Sequence, residues 1–197
     1  MTDQQLAVLR SRVDTAHLPP LTRAVVERVI LTTADPTWLG DLVLDEQALA
    51  AGRDALGAGG PLVVDVRMLA AAVAPRDAVI GLDMPGVAEL AKAEGTTRSA
   101  AGIRLAARAF PDGAVWAVGN APTALQEILR LAAAGSLRPA LVIGIPVGFV
   151  GSVDAKAALR RSGLPAASSA TERGGAAIAG SVVNALVDAW QADAHVR

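Results

Sequence analysis

The chain contains no cysteine and no tyrosine, only two histidines, and few aromatic residues of any kind. The missing cysteines exclude disulfides, thiolate metal sites and cysteine nucleophiles together. His17 and His195 are too few for a multi-histidine metal centre within one chain, so no metal is expected. Charge of one sign is also lacking: 18 Lys and Arg face 19 Asp and Glu, a formal net charge of −1. That balance offers no basic field for nucleic acid and no polybasic segment for an anionic membrane, so neither partner is expected. The opening residues MTDQQLAVLR carry no apolar signal core. The longest apolar run, residues 141 to 153, is broken by Pro146, Gly144, Gly148 and Gly151. It falls short of the ~18 residues a spanning helix requires. A soluble, cytoplasmic protein is expected.

What remains is small and apolar. Hydrophobic residues make up 52% of the 197, much of that share Ala and Val. This suffices for one well-buried core and is short for two ordinary domains, so residues 1–197 read as a single domain. LTRAVVERVILTTAD places Leu21, Val25, Val29 and Ile30 on one helical stripe, with Arg23, Glu27 and Arg28 off it. DEQALAAGRDALGAGG predicts a second helix, acidic at its start and ending at Gly59 and Gly60. Four short β-branched runs follow: PLVVDV, DAVIGL, GAVWAV and ALVIGI. Each is apolar throughout, as in strands covered on both faces. Helical stretches over residues 86–94, 98–109, 121–134, 152–162 and 174–190 alternate with them. The alternation predicts an α/β protein with a mainly parallel sheet between two helical layers. In such sheets ligands sit beyond the carboxyl ends of the strands.

Two strand-to-helix junctions occupy that edge. In VGNAPTAL, Asn120 is placed to cap a helix and Pro122 sits in its first turn. Open N–H groups there would hold a carboxylate or phosphate, although ordinary capping accounts for the same residues. In IPVGFVGSVDAK, Gly148 and Gly151 permit close backbone approach. Phe149 suits either the wall of a flat apolar ligand or the core. No phosphate-binding P-loop and no GxGxxG fingerprint is present. Thr97, Arg98 and Ser99 open another helix, where Arg98 suits a bidentate carboxylate contact or plain solvation. In RGGAAIAGSVVNAL, the spacing of Gly175, Ala179 and Val183 fits close packing on a sheet or a second subunit. Gly174 and Gly175 would bring further N–H groups near a ligand.

TTRSAAGIRL, VGNAPTAL, IPVGFVGSVDAK and RGGAAIAGSVVNAL, in that order, resemble the precorrin-8X methylmutase family across about residues 25 to 186. The resemblance implies a three-layer α/β/α fold and a homodimer with active sites near the subunit interface. It also implies a methyl shift from C-11 to C-12 of a tetrapyrrole, without metal or organic cofactor. The acetate and propionate arms of that ring would meet Thr97, Arg98 and Ser99. Gly119, Asn120, Ala121, Pro122 and Thr123, with Pro146, Val147, Gly148, Phe149, Val150, Gly174 and Gly175, would face the macrocycle. The family's proton donor is a histidine near the end of the second helical segment, and Leu31 stands there in this chain. Ala71 and Ala72 replace a family histidine-glycine, and only Arg173 adjoins the double glycine. Loss of a general acid typically costs on the order of 10²–10⁴-fold in rate. The implied function is an isomerase impaired at Leu31, with Thr32, Thr33, Asp35 or water as substitute acid. The alternative is a tetrapyrrole-binding protein that does not turn over.

Overall fold

The computed structural model describes residues 2–196; Met1, Arg197 and the side chains of His195 and Val196 lie outside the description. Six strands form one sheet: β1 (Leu42–Leu44), β2 (Leu62–Val64), β3 (Val79–Ile80), β4 (Val115–Val118), β5 (Leu141–Gly144) and β6 (Ala166–Ser169). Their order is β1-β6-β5-β4-β2-β3, parallel throughout except for the antiparallel β1–β6 pair. All four strands expected from apolar runs are present, in shorter form. The two that went unrecognised are β1 and β6. β6 reads AASS, and its buried Ser168 and Ser169 carry no apolar signature.

The central strands show why continuous apolar runs form covered strands. Val64, Val115, Ala117, Leu141 and Ile143 enter one core, while Val63, Trp116, Val118 and Val142 enter the other. The period of two sends successive side chains to opposite faces, so both faces need apolar residues.

The helices are α1 (Asp3–Arg10), α2 (Pro20–Thr33), α3 (Trp38–Asp41), α4 (Glu46–Gly57), α5 (Arg67–Ala72), α6 (Val87–Ala93), α7 (Arg98–Ala109), α8 (Pro122–Ala133), α9 (Ser152–Arg161) and α10 (Ala176–Val196). The first core is roofed by α2, α4, α5 and α10, and the second by α7, α8 and α9, which gives the expected three layers. The helix expected over 45–60 stops at Gly57, and that expected over 174–190 begins at Ala176, leaving the double glycine outside it. The small residues of α10 serve packing within the chain: Ala179 and Val183 are fully buried, and α10 lies against α2, α4 and α5. Among the described residues, no helix is long and apolar enough to cross a membrane.

Glu27 departs from its expected place off the apolar stripe of α2, being only 2% exposed. The cause is α1, which crosses α2 and brings Arg10 Nε and Nη2 within 2.9 Å of the two carboxylate oxygens. Thr15 donates its hydroxyl at 2.6 Å and Arg23 its Nε at 2.9 Å. Burial pushes the Glu27 pKa up, but these donors outweigh it and bring the pKa from 4.5 to about 2. A folded-state pKa below the unfolded one gives stability that is full above about pH 5 and lost as pH falls toward 2. Both arginines are partly exposed and screened, so the contribution is about 2 kcal/mol rather than the full shift. Glu27→Gln is therefore expected to lower the urea midpoint at pH 7 by that equivalent and by only about a quarter as much at pH 2.5. An equal loss at both pH values would show that the charge is not what stabilises.

Candidate active site at the carboxyl edge of the sheet

The loops after β2, β3, β4, β5 and β6 converge beyond the carboxyl ends of the parallel strands. At two glycines the turns are packed on one another, whereas the space beside Gly148 is open. A Cβ on Gly119 would lie 2.7 Å from the Ala176 Cα, and one on Gly174 would lie 2.3 Å from the Ile145 carbonyl oxygen. Val147 N–H donates to the Gly119 carbonyl at 3.4 Å, Gly148 N–H to Glu172 at 3.0 Å, and Gly175 N–H to Ile145 at 3.0 Å. Gly148 and Gly151 have φ of 141° and 74°, as their glycine identity allowed. At Gly119 and Gly174 the close approach is backbone to backbone. The expectation that the Gly175 N–H points to a ligand is corrected, since Ile145 takes it.

The turn after β4 is held from a distance. Asp65, 1% exposed at the end of β2, accepts the N–H groups of Gly119 (3.2 Å), Asn120 (2.7 Å) and Ala121 (2.9 Å). Two expectations fall on this observation. Asn120 is not the cap of α8; Ala121 is the cap residue and makes no side-chain bond. The N–H groups of this turn are not open to a ligand carboxylate, because an internal carboxylate occupies them. Burial raises the Asp65 pKa, against the downward pull of its three donors. Pro122 sits in the first turn of α8, as expected.

The third loop is fixed by Lys156, whose side chain is fully buried. Its Nζ donates to Ser169 Oγ at 3.0 Å, to the Arg173 carbonyl at 2.8 Å and to the Thr171 carbonyl. Three acceptors match the three ammonium donors, while burial lowers its pKa. Arg173 then leaves the loop to ion-pair with Asp35, donate to Thr37 Oγ1 at 2.8 Å and lie 4.1 Å from the centre of the Trp38 ring.

Arg98 and Ser99 open α7 behind Thr97, whose Oγ1 accepts the Ala100 N–H and donates to Thr123 Oγ1 at 2.9 Å. Both residues line a cavity of about 510 Å³ with Val66, Arg67, Met68, Leu82 and Asp83. Among the described residues, Arg98 has no ion-pair partner, whereas Arg67 is paired with Asp83. The sequence reading missed Arg67 and Asp65. Their position directly after the apolar run LVV, at the carboxyl end of a parallel strand, is the signal that would have found them.

Phe149 is 92% exposed, so it is not a core residue. The positive φ of Gly148 and Gly151 turns the loop outward and leaves Val147, Phe149 and Val150 uncovered. Pro146 is buried and its carbonyl accepts the Ser152 hydroxyl.

Leu31 is not among the residues lining the Arg98 cavity. It lines a separate groove of about 340 Å³ between α1 and α2, with Val8, Arg12, Val13, Ile30 and Ala34 among its walls. Its neighbours are poor substitutes as acids. Thr32 donates to the Arg28 carbonyl and Thr33 to that of Val29. Asp35 is held ionised, its pKa lowered by hydrogen bonds from Thr37 and by Arg173.

The fold and these loops define an α/β protein with its candidate site at the carboxyl edge of a parallel sheet, rich in fixed turns and poor in proton donors. The family model of precorrin-8X methylmutase matches residues 1–189. The chain is 37% identical over 163 residues to the cobalt-precorrin-8 methylmutase of Methanocaldococcus jannaschii, covering 83% of this chain and 77% of that protein. It is 37% identical over 191 residues to the precorrin-8X methylmutase of Pseudomonas aeruginosa, covering 93% and 91%. A solved structure of precorrin-8X methylmutase from Thermus thermophilus superposes with a TM-score of 0.87 at 32% identity, covering 96% of this chain and 95% of that one. The chain belongs to the precorrin-8X methylmutase family, a family of isomerases of cobalamin biosynthesis.

Proposed function

We propose that this chain moves a methyl group from C-11 to C-12 of a precorrin-8X-type tetrapyrrole, and that it works as a cytoplasmic homodimer. The bond from C-11 to the methyl breaks as the bond to C-12 forms, so the composition of the ring is unchanged. The protein's part is to hold the macrocycle in a reactive shape and to favour one tautomer through a proton. The observation that carries this reading is the Arg98 guanidinium, without a carboxylate partner among the described residues, beside Ser99 in a cavity that Val66, Met68 and Leu82 also line. An arginine without a carboxylate partner among the described residues, in a cavity with some apolar lining, suits a hydrophobic ring edged with carboxylates. Val147, Phe149 and Val150 offer apolar surface for the ring face or for a second copy. Leu31 and Arg98 line different concavities in one chain, and a second copy placed against this edge would supply a complete site from two halves.

Leu31 favours a second reading, a tetrapyrrole-binding protein without turnover. One experiment separates the two. Precorrin-8X mixed with the purified protein is expected to convert to the visible spectrum of hydrogenobyrinic acid. A shifted but unconverted spectrum would support binding alone, and an unchanged spectrum would sink both readings.

A further inference from the structure

Arg67 and Asp83 lie in the Arg98 cavity and have no part in the reading above. Arg67 begins α5 directly after β2, and Asp83 ends the short 3-10 turn after β3. Arg67 Nε donates to Asp83 Oδ2 at 2.9 Å and its Nη2 lies 2.7 Å from Oδ1, so the fork grips both carboxylate oxygens. The Arg67 side chain is nevertheless 79% exposed, and that of Asp83 34%. A pair so open to water contributes little to stability, with a typical worth of about 0–1 kcal/mol. It is therefore a weak account of why the cavity wall carries a guanidinium.

We infer that Arg67 is a second carboxylate-binding residue for the substrate, acting beside Arg98, and that Asp83 is an internal stand-in which the ligand's carboxylate displaces. The inference rests on the tetrapyrrole reading and names how the ring's arms are recognised. The cavity holds two guanidinium groups and one carboxylate, so it is net cationic until an anion enters. Asp83 already shows the geometry a carboxylate takes on Arg67, with two parallel N–H···O contacts. Val66, Met68 and Leu82 line the same cavity and give it some apolar surface for the hydrocarbon edge of a ring. A ligand bearing one carboxylate would engage Arg98 alone. A ligand bearing two would also draw Arg67 away from Asp83.

The test uses opposite signs. Hydrogenobyrinic acid is titrated against the full-length protein at low ionic strength, with binding read from its visible absorbance. Arg67→Ala is expected to raise Kd about tenfold, the loss of one charge-assisted contact at an open site. Asp83→Asn removes the competitor and is expected to lower Kd by about two- to fivefold. Arg67→Ala combined with Asp83→Asn should match Arg67→Ala alone, because Asp83 acts only through Arg67. Arg67→Lys, which keeps the charge but not the fork, should fall between Arg67→Ala and the unmodified protein. If the pair merely fastened α5 to the turn after β3, Asp83→Asn would leave Kd unchanged or raise it, and the inference would be overturned. Unmodified protein that fails to bind the acid would overturn the tetrapyrrole reading as well, whereas binding indifferent to both single substitutions would overturn this inference alone.

Discussion

Leu31→His is expected to raise the rate of methyl migration by about 10²–10⁴-fold over the unmodified chain, the span a positioned general acid supplies. Leucine has no proton to give, and the groups around it do not make up the loss. The Thr32 and Thr33 hydroxyls are spent on helix carbonyls, and Asp35 is held as the carboxylate by Thr37 and Arg173. The groove around Leu31 is partly open, so an imidazole would reach solvent without displacing the core, and would meet the ligand in the proposed two-copy site. Its walls also fix the form of the pH profile. Apolar Val13 and Ile30 disfavour the charged ring, and Arg12 repels it. The introduced histidine should therefore titrate below its ordinary value of about 6.5, with the gained rate falling away as pH rises through that point. Single-turnover rates from pH 5 to 8 would check both features. Equal rates for the two proteins across this range would mean that protonation is not limited at position 31.

The parts of the fold legible in the sequence are those whose physics is local. VWAV and LVIG announce strands covered on both faces because every residue is apolar, and Thr97 announces a helix start because its hydroxyl bonds three residues ahead. The ordered motifs around Arg98, Pro122 and Pro146 carried the family resemblance. Illegible parts depend on partners far along the chain. Glu27 looks like a surface residue until α1, some seventeen positions earlier, lays Arg10 across it. Ser168 and Ser169 look like a loop until the basic residues of α9 reach them from the second layer. Asn120 looks like a cap because nothing nearby says that Asp65 has already taken its N–H. Gly119 and Gly174 are open to the same ambiguity. A glycine that lets a ligand approach and one that lets another loop approach have the same sequence, and the distances from Gly119 to Ala176 and from Gly174 to Ile145 decide for the loop.

That dependence makes Asp65→Ala the most damaging single substitution we expect. The carboxylate satisfies three N–H groups, two of them on the buried residues Gly119 and Ala121, and alanine offers none of them an acceptor. Leaving buried donors unpaired costs about 1–3 kcal/mol each, and exposed Asn120 can turn to water. The loss is offset in part because the buried charge and its desolvation disappear too. A net destabilisation of about 2–3 kcal/mol follows, measurable as a lower urea midpoint with an unchanged m-value. Asp65→Asn is expected to lose roughly half as much. Its carbonyl oxygen still accepts, while its amide group turns donors toward donors. Function should suffer in the same order under conditions where each variant remains folded. The turn that Asp65 fixes leads into α8, whose Thr123 is bonded to Thr97 beside Arg98, and its Gly119 carbonyl accepts the Val147 N–H of the next loop. Release of that turn loosens both sides of the candidate site, so kcat should fall along with a rise in KM. An Asp65→Ala protein as stable as the unmodified chain would show that the three short contacts contribute no net stability.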